Sequence, residues 1–262
     1  MNDSIASPMT EELDATLHSG ELYEFADLRG VSLPGADLQE VILWCPDLSG
    51  ANLRGTNLVA TSLINAFLEK ADLTEANLTR AHLSDAQLQT ATLISAVLEA
   101  ADLRRANLTG ADLRHTCLKK ANLQCANLSG VDLTDADLTD ADLTGAYLRG
   151  ANLTKTNLSS AKLDGIRKDF LDVLIQCPQD VPGLKLALEQ GRIDGDRYLG
   201  QQACLIGTLA NLKGTSPEQL PLGLQPNAAR PIEMFFSAIG KGDTPQNNPV
   251  CTLVLNWMEE SR

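Results

Sequence analysis

The sequence predicts a mainly β fold, in which a solenoid of short repeats is followed by a small all-α domain. Three observations carry this. Leu recurs at every fifth position from Leu28 to Leu163, 28 times without an exception. Only 4% of the 262 residues are aromatic, and Leu and Ala fill the gap, so the interior must be narrow and built from few side-chain shapes. Beyond Gly165 the fivefold pattern vanishes and the apolar residues take up helical spacing.

The repeat comes first, because self-similarity at a fixed period decides the architecture. Two residues before each Leu stands Ala in 20 of the 28 units, with Val, Thr or Pro in the rest, and the residue just before Leu is Asp or Asn in 17. The unit is therefore Ala-(Asp/Asn)-Leu-x-x, as in the run from Ala101 through Asp102 and Leu103 to Arg105. A period of five suits neither regular element: on an α-helix it spreads the Leu over all sides, and on a flat strand it sends successive Leu to opposite faces. If each unit instead makes a short extended piece and a corner, every Leu points to one axis, and stacked coils about 4.8 Å apart satisfy one another's backbone groups. That is a β-solenoid.

Spacing alone does not fix the number of sides per coil. The motif resembles the pentapeptide repeat family over residues 26–165, and that resemblance implies a right-handed quadrilateral β-helix with four units per coil. It also implies that Leu and the preceding Ala point inward and the other three positions outward. Seven coils then follow from 28 units, giving a rod roughly 30–35 Å long. Each buried Leu is worth about 1.5–3 kcal/mol relative to exposure, and the column admits no charge. The Asp and Asn read as structural, small polar groups that bond to nearby backbone at the corners and tolerate unusual φ/ψ.

An open solenoid end exposes core and strand edge, so both ends need covers. Residues 1–25 form an N-terminal segment in which Thr10 caps a helix with Glu11 and Glu12 in its first turn, Leu13 and Leu17 share a face, and Gly20 ends it. Residues 166–262 form the helical C-terminal domain. Its first helix carries the stripe Ile166, Phe170, Leu174 and Cys177, and Pro178 stops it. Further helices are expected near 182–190, 198–212, 231–240 and 249–260, the last with Asn248 as cap and Pro249 in its first turn. Residues 213–230 read as a loop.

Formal charge is −13, which disfavours direct contact with a phosphate backbone. Residues 1–25 hold six acids and no Lys or Arg, while 26–165 hold 17 acids against 12 bases, so the repeat body is only mildly acidic. No run approaches the ~20 apolar residues of a membrane span, and the N-terminus lacks a basic start and an apolar run. A cytoplasmic location and no membrane contact are expected. Six cysteines without a CxxC pair or an even framework fit reduced thiols.

Enzyme motifs are missing, and no catalytic residue, cofactor or metal is predicted. The run Ile239 to Thr244 has the flavour of a phosphate loop but lacks its first Gly. His115, Cys117 and Cys125 lie close in sequence, but coil geometry sets Cys117 and Cys125 apart, which argues against a shared metal. Two surfaces stand out. Asp132, Asp135, Asp137, Asp140 and Asp142 make the most acidic stretch, wrapped over three sides of the rod. Ile42, Trp44, Val59, Ile64 and Phe67 put apolar side chains in outward positions of the first coils, a candidate contact patch unless the chain's own N-terminal helix or C-terminal domain covers it.

The function expected is a non-enzymatic protein-interaction scaffold that presents the sides of the rod and a helical docking or capping domain. Its partner is another protein, with a second copy of the chain as one candidate. The resemblance implies an alternative, because some members of the family mimic B-form DNA, bind type II topoisomerase, inhibit gyrase or protect against quinolones. Against it stand the mild charge of the body and its 12 interspersed bases. A second alternative is enzyme activity in the helical domain, around Asp169, Asp172, Asp194 and Asp196.

Overall fold

The structure, a computed structural model, describes residues 17–193, 205–220, 224, 231–236, 239 and 242–260. The expected helix over residues 10–17 lies outside them, apart from its buried last residue, Leu17.

One unit, Ala106 to Gly110, shows how a period of five closes. The N–H of Asn107 donates to Ala86 O of the coil before (2.9 Å), and those of Leu108 and Gly110 donate to Asn127 O (2.8 Å) and Ser129 O (2.9 Å) of the coil after. The Ala106 N–H closes a turn onto Leu103 O at 3.1 Å. Thr109 has no backbone acceptor; its N–H donates to Asn107 Oδ1 at 3.2 Å. All five donors are thus used, as buried or half-buried backbone requires. The last of these bonds explains the residue before Leu. All 17 Asp and Asn there accept the N–H two residues on, at 2.9–3.4 Å. Where Ser32 replaces them, the residue two on is Pro34, which has no N–H to satisfy.

The corner has a backbone signature. The fifth residue of every unit from Phe25 to Ser160 has positive φ: 50–60° at twenty non-glycine residues and 62–71° at the eight glycines. A four-residue turn with a left-handed third residue is what a type II turn needs, and only glycine adopts it without strain. Successive units repeat the turn, and residues pair in parallel with those twenty positions on, from Asp27 with Asp47 to Asp142 with Lys162. The ladder begins one unit before the Leu repeat. Strand β1 (Leu22–Glu24) pairs in parallel with β2 (Ile42–Trp44), so that half-buried Tyr23 takes the inward place opposite Leu43. Tyr suits this half-buried place because its hydroxyl reaches Glu21 Oε2 at 2.8 Å.

Every Leu from Leu28 to Leu163 is buried. Where Thr replaces the inward Ala, its hydroxyl donates to a Leu carbonyl: Thr56 to Leu33, Thr61 to Leu38, Thr116 to Leu113 and Thr156 to Leu133, all at 2.7–2.8 Å. No buried hydroxyl is left unpaired by these exchanges, which is why the column tolerates them.

Helix α1 (Asp164–Gln176) starts on the last Leu itself, with Arg167 N–H donating to Leu163 O at 2.9 Å. Its residues Ile166, Phe170, Val173 and Leu174 are buried in one core with the Leu column, and Leu148, Leu153, Leu158 and Leu163 stay buried at the end of the rod. Helices α2 (Val181–Glu189), α3 (Leu205–Lys213), α4 (Pro231–Phe236) and α5 (Pro249–Glu260) follow. They match the spacing reading, although residues 198–204 and most of 237–240 lie outside the described set. Helix α1 packs on α4 and α5, and α2 on α3 and α5. Asn248 caps α5 by accepting the Val250 N–H at 2.9 Å.

Two measurements check this account. Left-handed backbone costs a non-glycine residue about 1–2 kcal/mol, partly offset by the extra chain entropy glycine brings to the unfolded state, so Ala100→Gly is expected to stabilise the protein by about 0.5–1 kcal/mol in chemical denaturation. A destabilised variant would contradict the corner assignment. Truncation after Gly165 strips the cover from Leu148 to Leu163 and leaves an open β edge, so residues 1–165 should keep a β-rich circular dichroism spectrum yet self-associate in sedimentation analysis. A monomeric, fully soluble fragment would show that the helices are not the cover.

Candidate functional site

The narrow column determines where large side chains can go. From Ala26 to Leu163 its inward positions take Leu, Ala, Val, Thr and one Pro, and only the unit before them places an aromatic residue, Tyr23, inward. Of the five Phe and two Trp in the chain, Phe170, Phe235, Phe236 and Trp257 form the core of the helical segment, with ring centroids 5.8–6.1 Å apart. The remaining three, Phe25, Trp44 and Phe67, stand on the outside of the first coils and are 71%, 42% and 45% exposed.

Their placement is set by the ladder. Leu22 lies opposite Ile42, and Ile42 opposite Ser62, while Glu24 lies opposite Trp44. Cys45 N–H donates to Ile64 O, which brings half-buried Ile64 beneath Trp44 on the same side. Phe25 sits at the corner, and Phe67 follows on the next side opposite Asp47. Val59 is half-buried on the preceding side. Ile42, Trp44, Ile64 and Phe67 thus take neighbouring outward positions, with exposed Leu22 and Phe25 beside them. Extending the fivefold register one unit upstream of Ala26 would have placed both outward. Among the described residues the C-terminal helices stand away from this patch: they meet the rod at Lys155 to Ser159, where a cleft of about 490 Å³ opens against residues 245–256. Five ladder steps, roughly 24 Å, separate Ser62 from Lys162.

The acidic stretch is a different kind of surface. Asp132, Asp137 and Asp142 occupy three successive sides, with Asp135 and Asp140 at the corners between them. Asp137 is 3.2 Å from Lys119 Nζ, Asp142 is 3.4 Å from Lys162 Nζ and 2.9 Å from Gln124 Nε2, and Asp135 is 4.0 Å from the His115 ring. Asp132 accepts from the Thr134 hydroxyl (2.6 Å) and the Asn152 amide (3.1 Å). Burial works against ionisation of Asp142, but hydrogen bonds from Thr144 and Gln124 and the Lys162 charge outweigh it and hold the carboxyl at about 2. Charges in the middle of the rod are paired in the same way. Asp102–Arg104 and Asp112–Arg114 form two-pronged pairs within a unit, and Asp85–Arg105 forms one between coils. Residues 51–120 hold seven acids against eight bases. Exposed pairs of this kind add little stability, but they cancel the local field.

Other candidates have structural occupations. Asp169 accepts the Ile232 N–H at 3.0 Å in the first turn of α4. Asp194 and Asp196 lie outside the described residues. In the run that resembles a phosphate loop, Gly242 donates to Gly191 O, and a side chain at Gly191 would come within 2.9–3.0 Å of the Gly242 backbone, so the two glycines serve a close chain crossing. Cys117 lies in a ladder column between Val97 and Asp137, and Cys125 at a corner. Among the described residues no group of three or more His, Cys, Asp or Glu could hold a metal ion, and no helix is long and apolar enough to cross a membrane. Cys45, Cys117, Cys125, Cys177 and Cys251 are free, and burial pushes the Cys251 thiol up to about 12.

A parallel ladder with a fixed turn in every five-residue unit, closed over a Leu column, defines a β-helical repeat protein. The sequence model of pentapeptide repeats matches residues 24–58, 56–93, 86–124 and 126–165, in eight copies, and the chain belongs to the pentapeptide repeat family, whose fold is a right-handed β-helix. Among solved structures it is similar to HetL, a pentapeptide repeat protein involved in heterocyst differentiation regulation from the cyanobacterium Nostoc sp. strain PCC 7120, with 35% identity over 56% of this chain and 82% of that one, at a TM-score of 0.29. It is also similar to full-length QnrB1, a plasmid-mediated fluoroquinolone resistance protein (16% identity, 60% and 98% covered, TM-score 0.30). A third is a pentapeptide repeat protein from the Arabidopsis thaliana thylakoid lumen (24% identity, 56% and 78% covered, TM-score 0.27). No curated protein matches the chain.

The acidic sites make a pH prediction. A carboxyl held at about 2 in the folded state, against an ordinary value of 3.8, contributes stability that is present above pH 4 and is lost as pH falls towards 2. Tm of the wild type should therefore drop more steeply between pH 4 and pH 2 than Tm of Asp142→Asn, with the two curves converging at low pH. Parallel curves would refute the role given to Gln124, Thr144 and Lys162.

Proposed function

We propose that this chain is a non-enzymatic interaction rod acting in the cytoplasm, with another protein as its partner. In this reading the rod is quadrilateral in section with seven coils over 26–165, residues 1–25 precede it, and 166–262 form a capping and docking domain. The observation that carries the proposal is the placement of Leu22, Phe25, Ile42, Trp44 and Phe67, exposed together on one end of a rod whose backbone donors and inward side chains are consumed by the fold. A contiguous apolar patch of this kind on a soluble surface marks a contact site. Catalysis has less support, since Asp169 is engaged in the α4 first turn and the phosphate-loop lookalike in a glycine crossing.

The runner-up reading, a DNA-mimicking inhibitor of gyrase, needs a continuous run of unpaired negative charge. Pairing of Asp137, Asp142, Asp102 and Asp112 with Lys or Arg and the balance of charge across residues 51–120 both weigh against it.

Two assays separate the readings. The intact chain, immobilised and exposed to extract from its native host, should retain a defined protein at stoichiometric levels, whereas Leu103→Asp, which buries a charge in the column and should abolish cooperative unfolding, should not. In a supercoiling assay with gyrase the chain should have no effect. Stoichiometric inhibition that disappears when Asp132, Asp135, Asp137, Asp140 and Asp142 are all replaced by Asn would overturn the proposal in favour of the DNA mimic.

A further inference from the structure

The apolar patch at the start of the rod is surrounded by carboxylates, and we infer that its occupant is a cationic amphipathic polypeptide segment. Two or three large apolar side chains of that segment would rest on Leu22, Phe25, Ile42, Trp44 and Phe67, while its Lys or Arg residues reach the carboxylates around them. The inference rests on the interaction-rod reading and names the chemistry of the partner.

Each acid has a defined place. Glu24 is the ladder partner of Trp44, and Asp47 that of Phe67. Glu40 stands at the corner two residues before Ile42, with its carboxylate 3.3 Å from the Ser19 hydroxyl. Asp27 lies opposite Asp47 on the far side from Phe67, and Glu69 is two residues beyond Phe67. Residues 21–50 contain six acids and one base, Arg29. That guanidinium is already shared between Asp27 at 2.6 Å and Asp47 at 3.7 Å. Lys70, past Glu69 at the next corner, is the other cation near the patch. The apolar centre and charged rim reproduce the division of labour in protein interfaces, where buried aromatic anchors supply affinity and rim charges supply selectivity.

The sign of that rim selects among occupants. A second copy docking through the same end would set carboxylates against carboxylates, a juxtaposition that costs several kcal/mol at an interface. Residues 1–16 of the chain carry Asp3, Glu11, Glu12 and Asp14 and no Lys or Arg, so they carry the same sign as the rim and offer it no complement. Nucleic acid is repelled for the same reason. A basic segment has both its apolar and its charged complement here. The patch extends over two to three ladder spacings, roughly 10–15 Å, which is the length of two to three turns of helix.

The test uses the intact protein and two synthetic probes: a fluorescently labelled amphipathic Leu/Lys peptide, and its Leu/Glu counterpart with identical Leu positions. Trp257 is buried, so a blue shift of tryptophan emission on binding reports Trp44. The Leu/Lys peptide should bind with that shift and the Leu/Glu peptide should not. Trp44→Ser, and separately Glu24→Lys with Glu40→Lys, should each weaken binding by about tenfold or more, because both the anchor and the rim are lost at exposed positions that leave the column intact. Asp135→Asn with Asp140→Asn, at the far end, should leave it within about twofold, as expected for charges beyond a screening length. Unchanged binding by Trp44→Ser, equal binding of the Leu/Glu peptide, or self-association that Trp44→Ser abolishes would each overturn the inference. Failure of the rod reading is distinct: the host extract would then yield no partner at all, whereas a captured partner retained equally by the wild type and Trp44→Ser would sink this inference alone.

Discussion

A chain that turns every five residues has to find an acceptor for five backbone donors per unit, and this accounting shapes everything else in the molecule. Three donors reach neighbouring coils and one closes the turn, which leaves one N–H per unit that no carbonyl can meet. The Asp or Asn before each Leu meets it in 17 units, and at Pro34 the donor is simply absent. The same accounting forces a left-handed residue into every corner, which twenty non-glycine residues accept at a cost. That strain persists because the ladder bonds on either side and the Leu beneath over-determine the corner.

With the backbone and the inward positions committed, only outward side chains remain to distinguish one part of the rod from another. They do so by charge and by size. The middle of the rod carries Arg and Lys beside Asp within a unit or on the next coil, so its field is close to neutral. The first coils carry six acids against one base over residues 21–50, together with Phe25, Trp44 and Phe67, the Phe and Trp residues that lie outside the helical core. From Leu28 to Leu163 no aromatic ring occupies an inward position, so the Phe and Trp side chains on the rod are not part of its column. They mark a surface whose composition answers to something outside the fold.

A rod of this construction also suits binding energetically. Side chains on a continuous ladder are spaced by the backbone and lose little further freedom when a partner arrives, so less of the contact energy is spent on ordering. The helical segment contributes at the opposite end. Helix α1 grows directly from Leu163 and extends the apolar column into a core of aromatic residues, leaving the last Leu side chains buried. Among the described residues the two ends thus differ in chemistry: helix α1 covers the last Leu side chains, and the first coils present Leu22, Phe25 and Trp44 to solvent.

The β-solenoid, its inward Leu and the helices over 164–176, 181–189 and 249–260 were legible from spacing, because periodicity and capping are local properties of the chain, whereas the inward Ala came from the resemblance to the family. The outward placement of Ile42, Trp44 and Phe67 was legible as well, since outward positions follow from the phase of the repeat. Leu22 and Phe25 escaped that reading because Tyr23 replaces Leu in the unit they flank, and a repeat traced by Leu alone stops one unit short. What only the tertiary structure decided were the relations between positions twenty residues apart: which Lys neutralises which Asp, that Asp169 is spent on the α4 first turn, and that the C-terminal helices stand at the far end from Trp44. These depend on how coils stack and where the chain returns, and no local pattern in the sequence carries that distance.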